Sequence, residues 1–192
     1  MAAPMRVGIL NDTSDGPHWL RFTAEELVAN ERIDRDVEFV HVWSLGLPSG
    51  TAAAVERAYA AVVEQDVLLI VGPAIGDNAL VATPLAERYR VPTINWTGAE
   101  RARSEYMFQL QVGSHEDESI VLARHLSSLG VRRVGVVHDR SPIGRRHLEF
   151  LQLEAAVLGH GIVATVAVTP LAQDAAAEVD QLLAADADAL GI

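Results

Sequence analysis

The segment from residue 67 to 98, VLLIVGPAIGDNALVATPLAERYRVPTINWTG, leaves this chain few ways to fold. It begins with an apolar, β-branched run at 67–71, too short for a helix and too apolar for an exposed loop. The turn Gly72-Pro73-Ala74-Ile75-Gly76 follows. Asp77 and Asn78 then offer side chains suited to capping the unpaired N–H groups of a helix start. The helix is predicted to run to about residue 89, with Pro84 as a kink or restart. A second strand at 91–95 empties into Trp96-Thr97-Gly98. Two strands joined by a helix, each ending in a polar, glycine-bearing turn, form a right-handed βαβ unit. In open α/β sheets ligands bind where such carboxyl-end turns gather, so a binding cleft is expected here.

The same alternation extends along the chain. Residues 5–10 read as a first strand, opening into Asn11-Asp12-Thr13-Ser14-Asp15-Gly16-Pro17, with Pro17 suited to a first helical position. Leu20, Ala24, Leu27 and Val28 then form a helical stripe. Residues 37–43 are apolar on both faces, the pattern of a sheet covered on both sides. After a loop with Pro48 and Gly50, Val55, Ala58, Tyr59, Val62 and Val63 recur at helical spacing.

A further strand is expected at 106–112, and Gly113-Ser114-His115-Glu116-Asp117 marks the boundary between residues 1–113 and 114–192. Ser114 is placed to cap the next helix, which stops at Gly130. Strand 133–137, helix 144–158, strand 162–168, a helix capped by Asp174 and a strand from residue 189 complete the order. Strand and helix alternate throughout, which predicts parallel α/β sheets.

Composition narrows the chemistry. The chain has no cysteine and no lysine, which excludes thiolate catalysis, cysteine-ligated zinc, a P-loop lysine and a lysine Schiff base. A net charge of −11 argues against nucleic acid or an anionic membrane as partner. No apolar run is long enough to span a bilayer. The start, MAAPMRVGIL, lacks a basic segment followed by an apolar one; export would need a leader outside this sequence, and without one the chain is cytoplasmic.

The Gly-Pro turn after the strand at 67–71, the helix, and VPTINWTG resemble the first lobe of the type I periplasmic binding proteins, nearest the branched-chain amino-acid group. VGVVHDRSPIGRR at 134–146 is similar to the opening of that family's second lobe. The resemblance implies two doubly wound parallel-sheet lobes, cut short before the family's later crossovers. It also implies a small ligand, such as an amino acid or small carboxylate, captured by lobe closure and presented to an ABC importer. A dimer is the expectation if the half-length chain is natural.

The resemblance places ligand contacts at the lobe edges. Where the family usually has Ser or Thr, four residues after the turn glycine, this chain has Gly76, so only backbone donors remain beside Asp77 and Asn78. Trp96, Thr97, Gly98 and Ala99 match the segment that holds an amino acid's carboxylate and ammonium. His18 and Trp19 would form a further lip, with Asp12 or Asp15 facing a ligand ammonium, although turn and cap duty alone would explain both acids. In the second lobe Ser141 and Ile143 occupy the corresponding turn; the family commonly has an aromatic at the position of Ile143.

Other constellations read as structural. His138 and Asp139 are strand neighbours pointing to opposite faces, so they do not make an acid–base pair. His115-Glu116-Asp117-Glu118 lacks the i, i+4 histidine spacing of a helical zinc site and reads as a solvated first turn. Arg145 and Arg146 read as surface charges. No GxGxxG follows the first strand, and no nucleophile, base or metal set supports an enzyme. No cofactor is implied. A cytoplasmic effector-sensing domain on the same fold is the alternative function.

Overall fold

The computed structural model describes residues 3–12, 18–42, 51–111, 113–169 and 172–191, with residues 18, 19 and 42 described through their backbone. The predicted turn at 13–17, Trp43, and the loop with Pro48 and Gly50 lie outside the described residues. The chain divides into two units, Met1–Val112 and Gly113–Ile192, each with its own sheet.

In the first unit the order is β1 (Met5–Leu10), α1 (His18–Ala29), β2 (Val37–Val42), α2 (Ala52–Val63), β3 (Leu69–Val71), α3 (Gly76–Tyr89), β4 (Thr93–Asn95) and β5 (Met107–Gln109). The strands pair in parallel in the order β2-β1-β3-β4-β5. Helix α2 shows why the sequence folds this way. Thr51 caps it by accepting from the Ala54 amide at 3.2 Å, and Val55, Ala58, Tyr59 and Val62 line the buried side at helical spacing. They pack with Leu10, Ile70, Leu85 and Met107 into one core. Each fully buried aliphatic side chain there contributes about 1.5–3 kcal/mol of transfer free energy.

A polar chain crosses that core. The Thr93 hydroxyl donates to the Val91 carbonyl at 3.1 Å, which uses its single proton, so the Tyr59 hydroxyl is the donor in the 2.6 Å bond between Tyr59 and Thr93. Tyr59 and Thr93 are both fully buried. Burial pushes the Tyr59 phenol up to about 12, against the weaker opposite effect of the Thr93 bond.

Several element ends differ from expectation. β3 starts at Leu69 and β4 at Thr93, each two residues later than the apolar pattern suggests, and β5 spans Met107–Gln109 within the expected 106–112, of which residue 112 lies outside the described residues. Among the described residues β5 pairs only with β4, and Phe108 on it is half exposed. Helix α3 begins at Gly76, so Asp77 and Asn78 lie inside its first turn and do not precede it as caps. Pro84 neither breaks nor restarts α3, which continues to Tyr89.

The second unit runs α4 (His115–Ser128), β6 (Arg133–Asp139), α5 (Pro142–Leu158), β7 (Gly161–Val168), α6 (Ala176–Ala184) and β8 (Ala189–Gly191), with strands in the order β7-β6-β8. Ser114 caps α4 through the Asp117 amide at 3.1 Å, and Gly130, at φ +77°, follows its end. α5 begins at Pro142, two residues earlier than expected. A core of Ala123, Leu126, Val134, Val136 and Leu151 holds α4 and α5 to the sheet. The Asp188 carboxylate accepts from the Arg132 and Arg133 amides at 3.0 and 2.9 Å, pinning the turn before β8 to the start of β6. Those amides also lower its pKa. Asp174 accepts from the Ala176 amide at 2.9 Å, while the residue at the cap position of α6 is Ala175.

Two predictions follow from the first unit. Gly72 sits at φ +104°, and a Cβ there would lie 2.2 Å from the Leu10 carbonyl oxygen. Gly72→Ala is therefore expected to cost about 3 kcal/mol or more, read by urea unfolding. Tyr59 in the unfolded chain ionises near pH 10. Its folded-state pKa of about 12 means stability is fully present below pH 10 and declines as pH rises toward 12. The expected loss is ~2–3 kcal/mol, with one tyrosine's share of the phenolate absorbance appearing only near pH 12 in the native protein and that increment missing from Tyr59→Phe.

Candidate functional site

In the first unit the chain passes from β1 to β2 on one side and continues to β3 on the other, so the sheet changes winding direction between β1 and β3. Ligands of open α/β sheets bind at the carboxyl edge of such a switch. Asp12, two residues beyond β1, is buried there. Its Oδ2 accepts from the Ala74 and Ile75 amides at 2.5 and 3.1 Å, and its Oδ1 accepts from Asn78 Nδ2 at 2.5 Å.

Ile75, at the cap position of α3, has no capping side chain of its own. The aspartate of a different strand does that work from outside. A carboxylate beside a helix N-terminus is also favoured by the helix dipole. Much of the anion-binding capacity at this helix start is thus met from within. The amides that Asp12 does not engage begin at Gly76.

One strand further along, β4 delivers residues 96–99, and Asn95 organises them. Its Nδ2 donates to the Ala102 carbonyl at 2.9 Å, and its Oδ1 accepts from the Thr97 amide and the Thr97 hydroxyl, both at 3.1 Å. The Thr97 oxygen in turn accepts from the Ala99 amide at 3.3 Å. These are side-chain mimics of backbone turns, one starting at Asn95 and one at Thr97. Thr97, Gly98 and Ala99 are buried and Trp96 is partly exposed. The Thr97 hydroxyl proton goes to Asn95, so it is already committed within the turn. Gly76 and Asn78 are buried, and Asp77 is partly so. His18 and Trp19 open α1, but their side chains lie outside the described residues.

In the second unit the switch lies at β6, flanked by β7 and β8. Asp139 ends β6, and its Oδ1 accepts from the Ser141 amide at 2.8 Å. Ser141 caps α5 by accepting from the Gly144 amide at 2.9 Å. Gly144 is required, because a Cβ there would stand 2.2 Å from Asp139 Oδ1. His138 Nδ1 donates to the Asp139 carbonyl at 2.7 Å and does not reach its carboxylate. Ser141 and Ile143 are partly buried and border this turn.

A cavity of about 380 Å³ opens beside them, between the sheet and the α4–α5 layer. Its wall is largely Leu122, Leu148, Leu151 and Val136, with polar positions at Glu118, His138, Asp139 and His147. Ser141 and Ile143 do not line it. No direct sign of this space is legible in the sequence, because its walls come from helices whose packing is non-local.

Two charged residues differ from expectation. Glu116 is 4% exposed, not solvated, and its Oε1 accepts from Arg146 Nε at 3.1 Å. Arg146 also lies 4.5 Å over the Phe150 ring, and the Glu116 bond raises its pKa. His147 packs edge-on against His115, ring centroids 4.7 Å apart. Burial first, then the nearby His115, hold the His147 imidazole below its ordinary pKa.

Comparison with known proteins places this architecture. A family model described as periplasmic binding protein matches residues 46–192. No curated protein sequence matches. Among solved structures, a type 1 periplasmic binding protein from Bordetella pertussis Tohama I superposes with a TM-score of 0.80 at 18% identity, over 98% of this chain and 55% of that one. A leucine-binding protein, LivK, from Thermotoga maritima gives 0.75 at 18% identity, over 97% and 55%. An ABC transporter solute-binding protein from Rhodopseudomonas palustris BisB5, in complex with 3,4-dihydroxybenzoic acid, gives 0.73 at 22% identity, over 97% and 53%. The chain spans about half the length of the structures it matches.

The Asp12 arrangement yields a direct test. Asp12→Ala removes the acceptor of two backbone amides and one side-chain amide at a buried position. A loss of about 2–4 kcal/mol in the unfolding free energy is expected by denaturant titration, with Asp12→Asn intermediate.

Proposed function

The chain belongs to the type I periplasmic binding protein family, and from that premise we propose that it is the solute-capturing part of an ABC-type importer. The ligand class we infer is a small carboxylate, an amino acid or an aromatic acid. What supports this is the placement of two amide-bearing turns, the start of α3 and residues 96–99, on the adjacent strands β3 and β4 at one sheet edge. Internal hydrogen bonds engage the Thr97 and Ala99 amides and hold the turn's shape, so the donors left to a ligand carboxylate are preorganised and meet it without an ordering cost.

The internal Asp12 carboxylate shapes the proposal. With Ala74 and Ile75 engaged, the ligand would be met by the first-turn amides of α3 from Gly76 onward, and by the 96–99 turn with Trp96 as an apolar wall. Ser141 and Ile143 are the proposed contributors from the second unit. Relatives of this fold include proteins solved with 4-hydroxybenzoate and benzoate, and a leucine-binding protein. An aromatic acid suits an aromatic and apolar lining better than a zwitterion, which would need a partner for its ammonium. In the whole protein, ligand binding would favour the closed form, which the importer's permease reads.

Calorimetric titration of the protein with benzoate, 4-hydroxybenzoate, leucine and valine tests this. Saturable binding of at least one carboxylate is expected, with Kd near or below about 10 μM, equivalent to roughly 7 kcal/mol. Trp96→Ala is expected to weaken it by about tenfold or more while leaving the unfolding midpoint nearly unchanged. Absence of binding across amino acids and aromatic acids would overturn the proposal.

A further inference from the structure

The edge-on histidine pair in the second unit is half of a larger cluster. His115 opens α4, and Glu118 stands three residues on, on the same face of that helix. His147 comes from α5, which packs alongside, and its ring meets that face. One ligand atom from each of His115, Glu118 and His147 lies within 4.8 Å of the other two. We propose that these three residues form a binding site for a borderline divalent transition metal, with Zn²⁺ as the reference ion.

Geometry carries the proposal. Tetrahedral zinc with ligands at about 2.0–2.1 Å requires ligand atoms roughly 3.3–3.4 Å apart. His115 Nδ1 and Glu118 Oε2 stand 3.3 Å apart, and Glu118 Oε2 and His147 Nε2 stand 3.9 Å apart. Small side-chain rotations close the set around one ion. Among the described residues His147 Nε2 has no hydrogen-bond partner, and it is sealed from solvent. A buried nitrogen left without a partner is costly, and a metal ion would satisfy it.

Donor chemistry selects the metal class. Two imidazoles and one carboxylate suit zinc, cobalt, nickel or copper, whereas magnesium and calcium prefer all-oxygen sites. Three protein ligands leave a fourth position open for water. Glu118 and His147 also line the cavity described above, so that position borders a half-open, mainly apolar space.

The two histidines are 32 positions apart in sequence, on different helices, so no local spacing signals them. Of the other two acids of that turn, Glu116 is engaged with Arg146 and Asp117 with Ser114, which leaves Glu118 as the carboxylate facing the pair.

The test uses the untagged full chain. Zinc titration by calorimetry is expected to show one ion per chain, unaffected by excess Mg²⁺, and Co²⁺ is expected to give visible absorption bands of a low-coordinate site. His147→Ala and His115→Ala should each weaken Zn²⁺ binding by about 100-fold or more, since even losing a residue behind a ligand costs 10–100-fold. Glu118→Gln should weaken it by at least about tenfold. His125→Ala, on an exposed residue at the far end of α4, should leave it unchanged. X-ray absorption of the zinc-loaded wild-type protein needs no variant: two imidazoles in a first shell at about 2.0–2.1 Å support the site. No stoichiometric uptake, equal uptake by His147→Ala, or fewer than two imidazoles around the zinc would overturn it.

Discussion

The first unit depends on how one carboxylate is shared. Asp12 leaves the end of β1 and ties down the backbone that enters α3, across the point where the sheet changes winding direction. Parallel strands are joined by long crossovers, so nothing local holds the β1 and β3 turns together. Asp12 supplies that bond, and Gly72 permits the close approach of the two strand ends by presenting no side chain to Leu10. Asn78 completes the arrangement from inside the helix. Strand, turn and helix are thereby fixed relative to each other before any ligand is considered.

The second unit solves the equivalent problem with shorter reach. Asp139 binds the amide two residues ahead, Ser141 caps the helix, and Gly144 makes room for the aspartate. Both units therefore spend an aspartate at the carboxyl edge of the strand that starts the winding. In the first unit an acid offered by the sequence as a ligand contact holds the main chain, as Asp139, read as structural, does in the second.

Legibility in the sequence followed the range of each interaction. The stripe of Val55, Ala58, Tyr59 and Val62, the Ser114 cap and the glycine after α4 were readable because helix periodicity and capping involve residues a few positions apart. The alternating α/β class followed from the same local signals. Strand ends at β3, β4 and β5 were not readable, since pairing partners decide where a ladder begins. Asp77 and Asn78 looked like caps because the true cap, Asp12, lies more than 60 residues away in sequence. Glu116 looked solvated because Arg146, its partner, stands on another helix. Asn95 had a local signature, an Asn followed two residues later by Thr, that foretells the turn it builds.

Strand β7 carries a feature with a wider effect. Its register against β6 slips by one between Val134 and Gly135, so that Ile162 pairs with Val134 but Ala164 pairs with Gly135. Side chains on a strand alternate in parity, and an added residue inverts that parity for everything after it. The extra residue, Val163, thus brings buried Val166 beside Val137, where an unbroken ladder would have put exposed Thr165. Odd and even positions exchange their meaning halfway along the strand, and any homologue that loses one residue there must recolour the whole second half to keep the same inner face.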